Sequence, residues 1–170
     1  AAALVTVHAG WKTYPVRLAA EAQAGGVTLE AAVDVLYSST CPSSAALASQ
    51  AVQQAARRRF AGAAPTLAEL ESWLASGLAA TPHAQRSRAR VRARLAGVPA
   101  DFGLVGLIDA VESSLRTVVQ TAVKREDEQA FARLNAENLM FCEDAARRVR
   151  HALDGLAALA DFHVDGAHYE

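Results

Sequence analysis

Residue types that bind divalent metals or transfer protons occur in three separate segments of the chain. Cys41 lies in YSSTCPSS, His83 lies in ATPHAQRSRA, and the stretch 123–148 is rich in acids, among them Glu128 and Glu143. One thiolate, one imidazole and several carboxylates make a mixed ligand set that suits zinc or a similar divalent ion. Such a set predicts a metal used for hydrolysis, provided that folding brings the three segments together.

Each of these residues also has an ordinary structural interpretation. A lone cysteine such as Cys41 is most often a small buried apolar residue, and Cys142 lies on the apolar stripe of a predicted helix, where the core interpretation is favoured. His83 fits a solvated loop beside arginines, or a metal ligand or proton shuttle. The three consecutive acids at 126–128 suit the first turn of a helix, where the macrodipole favours negative charge.

Glu143 and several basic residues carry possible roles in binding a nucleotide. Glu143 follows Cys142 directly, so we expect its carboxylate to be half-buried and to need a partner. The guanine edge would suit, because a carboxylate accepts hydrogen bonds from two N–H groups at once. A set of cations could bind phosphate, although alone each is more often part of a solvated face. These cations are Arg86, Arg88, Lys124 and Arg125.

The composition sets broad limits. A chain of 170 residues is long enough for one domain with a real core, with or without an insertion. Its net charge of −1 provides no basic field for nucleic acid. We find no apolar run of membrane-spanning length and no signal peptide. Two cysteines in such a chain predict free thiols and a cytoplasmic protein.

Strands are predicted where apolar and polar residues alternate. Two such runs meet at the turn signal Gly25-Gly26 and predict a β-hairpin. A third run alternates arginine with apolar residues, which predicts a half-buried strand with one basic face. A short run near the C-terminus predicts the last strand. In chain order the four runs cover residues 13–23, 27–40, 86–95 and 161–170.

Helices are predicted from capping residues and from periodic apolar positions. Ser43 or Ser44 is a natural N-cap for an Ala-rich helix, and Thr66 with Glu69 forms a capping box for the next one. Both helices would lie in an insertion at about 42–82. The element order predicts an α+β fold, with an antiparallel sheet and paired helices on one face. The helical runs cover 44–60, 66–78, 104–115, 126–134 and 142–156.

Four separated segments together resemble the type IB GTP cyclohydrolases, from about Val27 onward: YSSTCP, TPHAQRSRA, VQTAVKREDEQAFARLN and NLMFCEDAARRV. The resemblance implies the tunnelling fold, assembled as a homotetramer with active sites at subunit interfaces. It also implies hydrolysis of GTP to 7,8-dihydroneopterin triphosphate and formate, the first step of folate biosynthesis. A divalent metal, zinc or manganese, would be the cofactor.

The same resemblance implies roles for individual residues. Cys41, His83 and Glu128 would be catalytic residues and metal ligands, with Glu170 as a further ligand from a C-terminal E-S-x-H motif. Glu143 would hold the guanine edge. The triphosphate would be bound by Arg86, Arg88, Lys124 and Arg125.

The sequence departs from the family pattern at several points. Ser43 replaces the second cysteine of the CPCS motif, and the segment between Cys41 and His83 is longer than in compact members. The chain stops at Glu170, before the S-x-H of the last motif. We therefore expect residues 1–170 to form a single tunnelling-fold module, a fragment of a bimodular subunit whose N-terminal module and C-terminal end are missing.

Two other functions remain open. A nitrile reductase relative of the same fold would use Cys41 as a covalent nucleophile with NADPH as reductant. A non-catalytic oligomerisation module would carry Cys41 and His83 incidentally. Metal content separates the reductase from the cyclohydrolase, because the reductase needs no metal.

Overall fold

The computed structural model describes residues 11–98, 103–120 and 124–169, apart from the side chain of Glu126. Four antiparallel strands form one sheet in the order β1-β2-β3-β4, which confirms the predicted α+β class. Within the described residues, none of the helices is long and apolar enough to cross a bilayer. The elements are β1 (Val16–Gln23), β2 (Gly26–Thr40), α1 (Pro42–Phe60), α2 (Leu67–Ala75), β3 (Ala84–Leu95), α3 (Leu104–Leu115), α4 (Arg125–Glu137), α5 (Cys142–Asp154) and β4 (Leu159–Tyr169).

The two central strands alternate as their sequences predict. The odd-numbered side chains are buried from Leu29 to Ser39 on β2 and along all of β3, with Val33 directly opposite Val91. The arginines of β3 point to the other face. Apolar stripes of α3 and α5 cover the buried face and complete the core. Their buried residues are Leu107, Val111 and Leu115 on α3, and Ala145, Val149 and Leu153 on α5.

The predicted β-hairpin at the N-terminal side is confirmed. β1 pairs with β2, and Gly26 takes a φ of +133° at the turn, where the absence of a Cβ makes that conformation easy. Every residue of β1 is exposed. Within the described part of the chain, β1 and β4 each pair with one strand only, so both are edges of the sheet.

The arginine-bearing face carries cross-strand ion pairs. Arg90 donates from Nε and Nη2 to the two carboxylate oxygens of Asp34, both at 2.7 Å. These hydrogen bonds hold the pKa of Asp34 below its ordinary value. Most arginines of β3 therefore belong to a solvated charged face, which is their ordinary structural interpretation. Two further pairs are Arg94–Asp161 at 3.2 Å and Arg88–Asp165 at 3.7 Å.

The predicted helical insertion is present between β2 and β3. Its first helix begins at Pro42 with Cys41 as the N-cap, so the prediction of Ser43 or Ser44 as N-cap is wrong. Proline fits the first helical position, because the N–H that it lacks would have no partner within the helix.

The second helix of the insertion has the predicted capping box. The Glu69 N–H donates to Thr66 Oγ1 at 3.3 Å, and the Thr66 N–H donates to Glu69 Oε2 at 2.9 Å. This helix ends at Ala75, before the predicted Leu78, because the chain turns at Gly77 with a φ of +112°.

A buried polar network holds the segment between α4 and α5 against the sheet. Asn138 Nδ2 donates to the Leu115 carbonyl at 2.8 Å, and Arg148 Nη1 donates to Asn138 Oδ1 at 2.6 Å. The Met140 N–H donates to the Thr40 carbonyl at 3.2 Å. These bonds fix the C-terminal end of α4 beside the last residue of β2.

Candidate functional site

The insertion leaves and re-enters the sheet at neighbouring points. Thr40 is paired with Ala84 across the β2–β3 ladder. Cys41 follows Thr40 and His83 precedes Ala84, so both residues lie at the neck of the insertion. The His83 N–H donates to Ser44 Oγ at 3.1 Å and helps to close this neck. Folding therefore places the predicted cysteine and histidine at one end of the sheet.

Both side chains at the neck are accessible. Cys41 is partly exposed and is a free thiol, and His83 is exposed. Neither residue belongs to the hydrophobic core, so the core interpretation of Cys41 does not hold. An accessible thiol and an accessible imidazole at one neck are both free to bind a metal or a substrate.

A cavity of about 450 Å³ lies at the same end of the sheet. Its walls include Thr40 and Pro82, the chain neighbours of Cys41 and His83, together with Glu128 of α4. The third residue of the predicted catalytic set therefore belongs to the same region. A cavity of this size is within the range of small-molecule sites.

The cavity opens on the arginine-bearing face of the sheet. Ser38 and Ala84 line it, and both belong to the face opposite the core. Among the described helices, α3 and α5 cover the apolar face, whereas α4 borders a cavity on the other face. Within that part of the chain, the prediction of paired helices on one face holds for α3 and α5. Arg86 is the next residue after Ala84 on the cavity face and pairs with Ser38 in register.

The other predicted phosphate ligands differ in their surroundings. Arg88 is partly buried and approaches Asp165, while its Nε has no hydrogen-bond partner among the described residues. Lys124 and Arg125 are exposed at the start of α4. Arg86 therefore stands nearest to the cavity by register, and Arg88 already has an acidic neighbour.

A closed metal site is not formed within the described residues. No three histidine, cysteine, aspartate or glutamate side chains among them make a group that could hold an ion. Glu170, a predicted ligand, lies outside the described residues. The thiol, imidazole and carboxylate brought to this end nevertheless match the donor types that zinc prefers. Among the described residues these three side chains supply the donor types without forming an assembled metal site.

Glu143 is placed differently from the prediction. It is the second residue of α5 and its side chain is exposed, so the expectation of a half-buried carboxylate is wrong. The buried stripe of α5 runs through Ala145 and Val149, which turns Glu143 toward solvent. Its carboxylate is therefore available to a ligand without first needing an internal partner.

Cys142 is partly buried at the start of α5. A Cβ added at Gly166 would lie 3.3 Å from its Sγ, so the thiol packs closely against β4. Burial, followed by the charge of Glu143, raises the pKa of the Cys142 thiol. A thiol held protonated in this way is a packing residue rather than a nucleophile.

A buried tyrosine that the sequence analysis did not single out joins β2 to the end of β4. Tyr37 Oη and His168 Nε2 lie 3.0 Å apart, and their rings meet edge to face. Burial raises the pKa of Tyr37 above its ordinary value. The pair fixes the last residues of β4 beside the end of the sheet that carries the cavity.

The whole chain, residues 1–170, matches the family described as type I GTP cyclohydrolase folE2 (GCHY-1). The chain belongs to this family. The resemblance found in the four sequence segments is thereby confirmed, since the family match extends over all of them.

Proteins named GTP cyclohydrolase FolE2 are similar to the chain over nearly all of its length. That of Pseudoalteromonas translucida is 47% identical over 169 residues, which are 98% of this chain and 56% of the relative. That of Pseudomonas syringae pv. syringae is 50% identical over 163 residues, 95% of this chain and 54% of the relative. That of Chromohalobacter salexigens is 48% identical over 170 residues, covering 99% and 56%. The chain spans about half the length of the curated FolE2 relatives it matches.

Proposed function

We propose that the protein carrying this chain is a GTP cyclohydrolase of folate biosynthesis, which converts GTP and water to 7,8-dihydroneopterin triphosphate and formate. Membership of the FolE2 family over residues 1–170 is the observation that carries this proposal. The convergence of Cys41, His83 and Glu128 on one end of the sheet supports it, because hydrolysis needs such groups close together.

The proposed cofactor is a divalent ion, zinc or manganese. Cys41 and His83 would hold it at the neck of the insertion, with Glu128 and Glu170 as further ligands. A divalent ion there would lower the pKa of a water molecule and so supply a nucleophile near neutral pH. The accessibility of the thiol and the imidazole supports this assignment.

The residues of the chain would share the remaining work. Water adds at C8 of guanine, the imidazole ring opens, and a second water hydrolyses the formyl group to formate. The ribose carbons then rearrange and close the new ring with loss of one water. His83 would give a proton to the nitrogen that leaves C8, and Glu128 would accept a proton from water. Glu143 would accept the guanine N1–H and one N2 hydrogen, holding C8 in place. The triphosphate would bind to Arg86, with Arg88, Lys124 and Arg125 as further cations.

The formate assay tests this function directly. The intact protein should release one formate per GTP consumed, and removal of its metal by a chelator should stop the release until zinc or manganese is returned. Elemental analysis of the purified protein checks the metal independently. Undiminished formate release by a metal-free preparation would contradict the metal assignment, and no release in any metal would contradict the reaction.

We further propose that the chain adopts the tunnelling fold and assembles as a homotetramer. Within the described residues β1 and β4 are unpaired edges of the sheet, which supports this assembly because strand edges are normally covered or paired. Two large apolar side chains of β1, Val16 and Leu18, are more than two-fifths exposed, which favours a covering partner. Sedimentation of the intact protein at micromolar concentration should show a tetramer, and a monomer would contradict the assembly.

A further inference from the structure

Strand β1 presents backbone groups that can pair with another strand. The Asp34 N–H donates to the Pro15 carbonyl at 3.2 Å, so the odd-numbered residues of this segment turn their backbone groups toward β2. The even-numbered residues from Val16 to Ala22 therefore point their N–H and C=O groups away from the sheet. Exposed edges are commonly protected by lysine, proline or a bulge, and β1 contains none of these between its ends.

The two charged residues of β1 have no partners of opposite charge within the chain. Arg17 and Glu21 are both exposed and lie on the same face of the strand. Among the described residues neither of them forms an ion pair, although Glu21 accepts a hydrogen bond from Gln23 Nε2 at 2.9 Å. Four residues span about 13 Å of a strand, so Arg17 and Glu21 of one chain cannot reach each other.

A second copy of the strand brings these charges together. When two antiparallel β1 strands are related by a two-fold axis at Ala19, Arg17 of each copy lies opposite Glu21 of the partner subunit. These are non-hydrogen-bonded pairs, in which side chains approach closely. Moving the axis by one residue in either direction sets Arg17 opposite an uncharged residue, so the charges select one register.

The same register also matches the apolar side of β1. Val16 lies opposite Ala22 of the partner subunit, and Leu18 lies opposite Ala20 of the partner subunit. All four side chains point to the core side of the sheet, because the β2 partner of Val16 is the buried Val33. The outward backbone groups of these residues would then bond across the axis.

The other edge of the sheet does not complement itself in this way. Strand β4 contains Asp161 and Asp165 and has neither lysine nor arginine. Both aspartates already approach arginines of β3, Asp161 at 3.2 Å and Asp165 at 3.7 Å. The charge pattern therefore favours β1 as the edge that meets its own copy.

We propose that two copies of the chain associate through antiparallel pairing of their β1 strands about Ala19, which joins the two sheets into one. This inference rests on the proposed assembly and identifies one of its interfaces. The partner is a second copy of the same chain, recognised by the reciprocal pairs of Arg17 and Glu21.

Charge reversal tests the pairing. Arg17→Glu or Glu21→Arg alone should raise the dissociation constant of this contact at least about tenfold, because two cross-strand pairs become repulsive. Combining both substitutions should restore assembly. The two positions are too far apart for one to relieve the other within a chain, so restoration reports contact between copies. Arg58→Glu, on the exposed side of α1, is the control and should change nothing.

A cysteine at the axis provides an independent measurement. In a non-hydrogen-bonded pair the Cα atoms are about 4.5 Å apart, which is within reach of a disulfide. Oxidised Ala19→Cys should therefore form a dimer, and mass spectrometry should find its β1 peptide linked to itself. Ala22→Cys is the matched control, since its two copies would lie about 20 Å apart along the ladder and should stay unlinked.

Sedimentation of the intact protein, with these variants, gives distinct outcomes. A tetramer without the Ala19→Cys crosslink would overturn the β1 interface and leave the assembly standing. The same result is expected if β4 of a partner, or another strand of the polypeptide, covers β1. A crosslinked dimer that forms no tetramer would support the interface and contradict the homotetramer, and a monomer would contradict both. Single reversals without effect, or no restoration in the double variant, would also overturn the inference. Formate release tests the reaction separately.

Discussion

Replacement of Cys41 by alanine is expected to reduce formate release from GTP at least about 100-fold, equivalent to about 2.7 kcal/mol of transition-state stabilisation. The thiol is accessible at the neck of the insertion, beside His83 and at the end of the sheet where Glu128 lines the cavity. Without its thiolate the proposed metal site loses its only sulfur ligand, so metal content should fall together with the rate. Formate assays and elemental analysis of the purified variant check both effects.

Cys142→Ala is the matched control for this substitution. It removes the same chemical group from a partly buried position against Gly166. We expect its kcat/KM to stay within about threefold of wild type, with a small loss of stability from the vacated space. Full activity and full metal content in Cys41→Ala would show that Cys41 is not part of the active site.

Glu143→Gln is expected to reduce kcat/KM for GTP about 100-fold while hardly changing the free energy of unfolding. A carboxylate accepts two N–H groups of the guanine edge, whereas an amide presents one acceptor and one donor. A site that loses such a pairing rejects its ligand strongly. Because the side chain is exposed on the first turn of α5, its replacement removes no buried contact.

Its neighbour Asp144 gives the opposite pattern and serves as the control. Asp144 accepts from the Phe141 N–H at 3.1 Å and from Arg147 Nη1 at 2.9 Å, so it stabilises the start of α5. Asp144→Asn should lower the free energy of unfolding by about 0.5–1 kcal/mol and leave turnover nearly unchanged. Equal losses of turnover in both variants would mean that the effect passes through the helix end instead of the guanine edge.

Much of the sheet could be predicted from the sequence because its central strands bury one face and expose the other. Alternation along β2 and β3 determines which side chains are buried, and the cross-strand register of Val33 and Val91 agrees with it. The helix boundaries were less predictable. The helix α1 could begin at any of three residues, Pro42, Ser43 or Ser44. Its actual start at Pro42 depends on where β2 ends, which is at Thr40.

The site was predictable as a set of residues and only partly as an arrangement. Cys41 and His83 are brought together by the pairing of Thr40 with Ala84, which no local pattern specifies. Glu143 is exposed because the buried side of α5 is formed by Ala145, Val149 and Leu153, which leaves Glu143 on the solvent side of the helix.

The insertion between Cys41 and His83 is held to the sheet mainly at its neck. Across α1 and α2 only Ala48 is buried, and the two helices meet through the edge-to-face rings of Phe60 and Trp73. Because the ladder keeps its two ends adjacent, these helices can open locally while the strands remain paired. An ion bound by both Cys41 and His83 would tie the two ends of the insertion together. Like a crosslink, it would reduce the number of conformations that the locally unfolded insertion can take. Amide exchange in α1 would then report whether an ion is bound at its N-cap residue, Cys41.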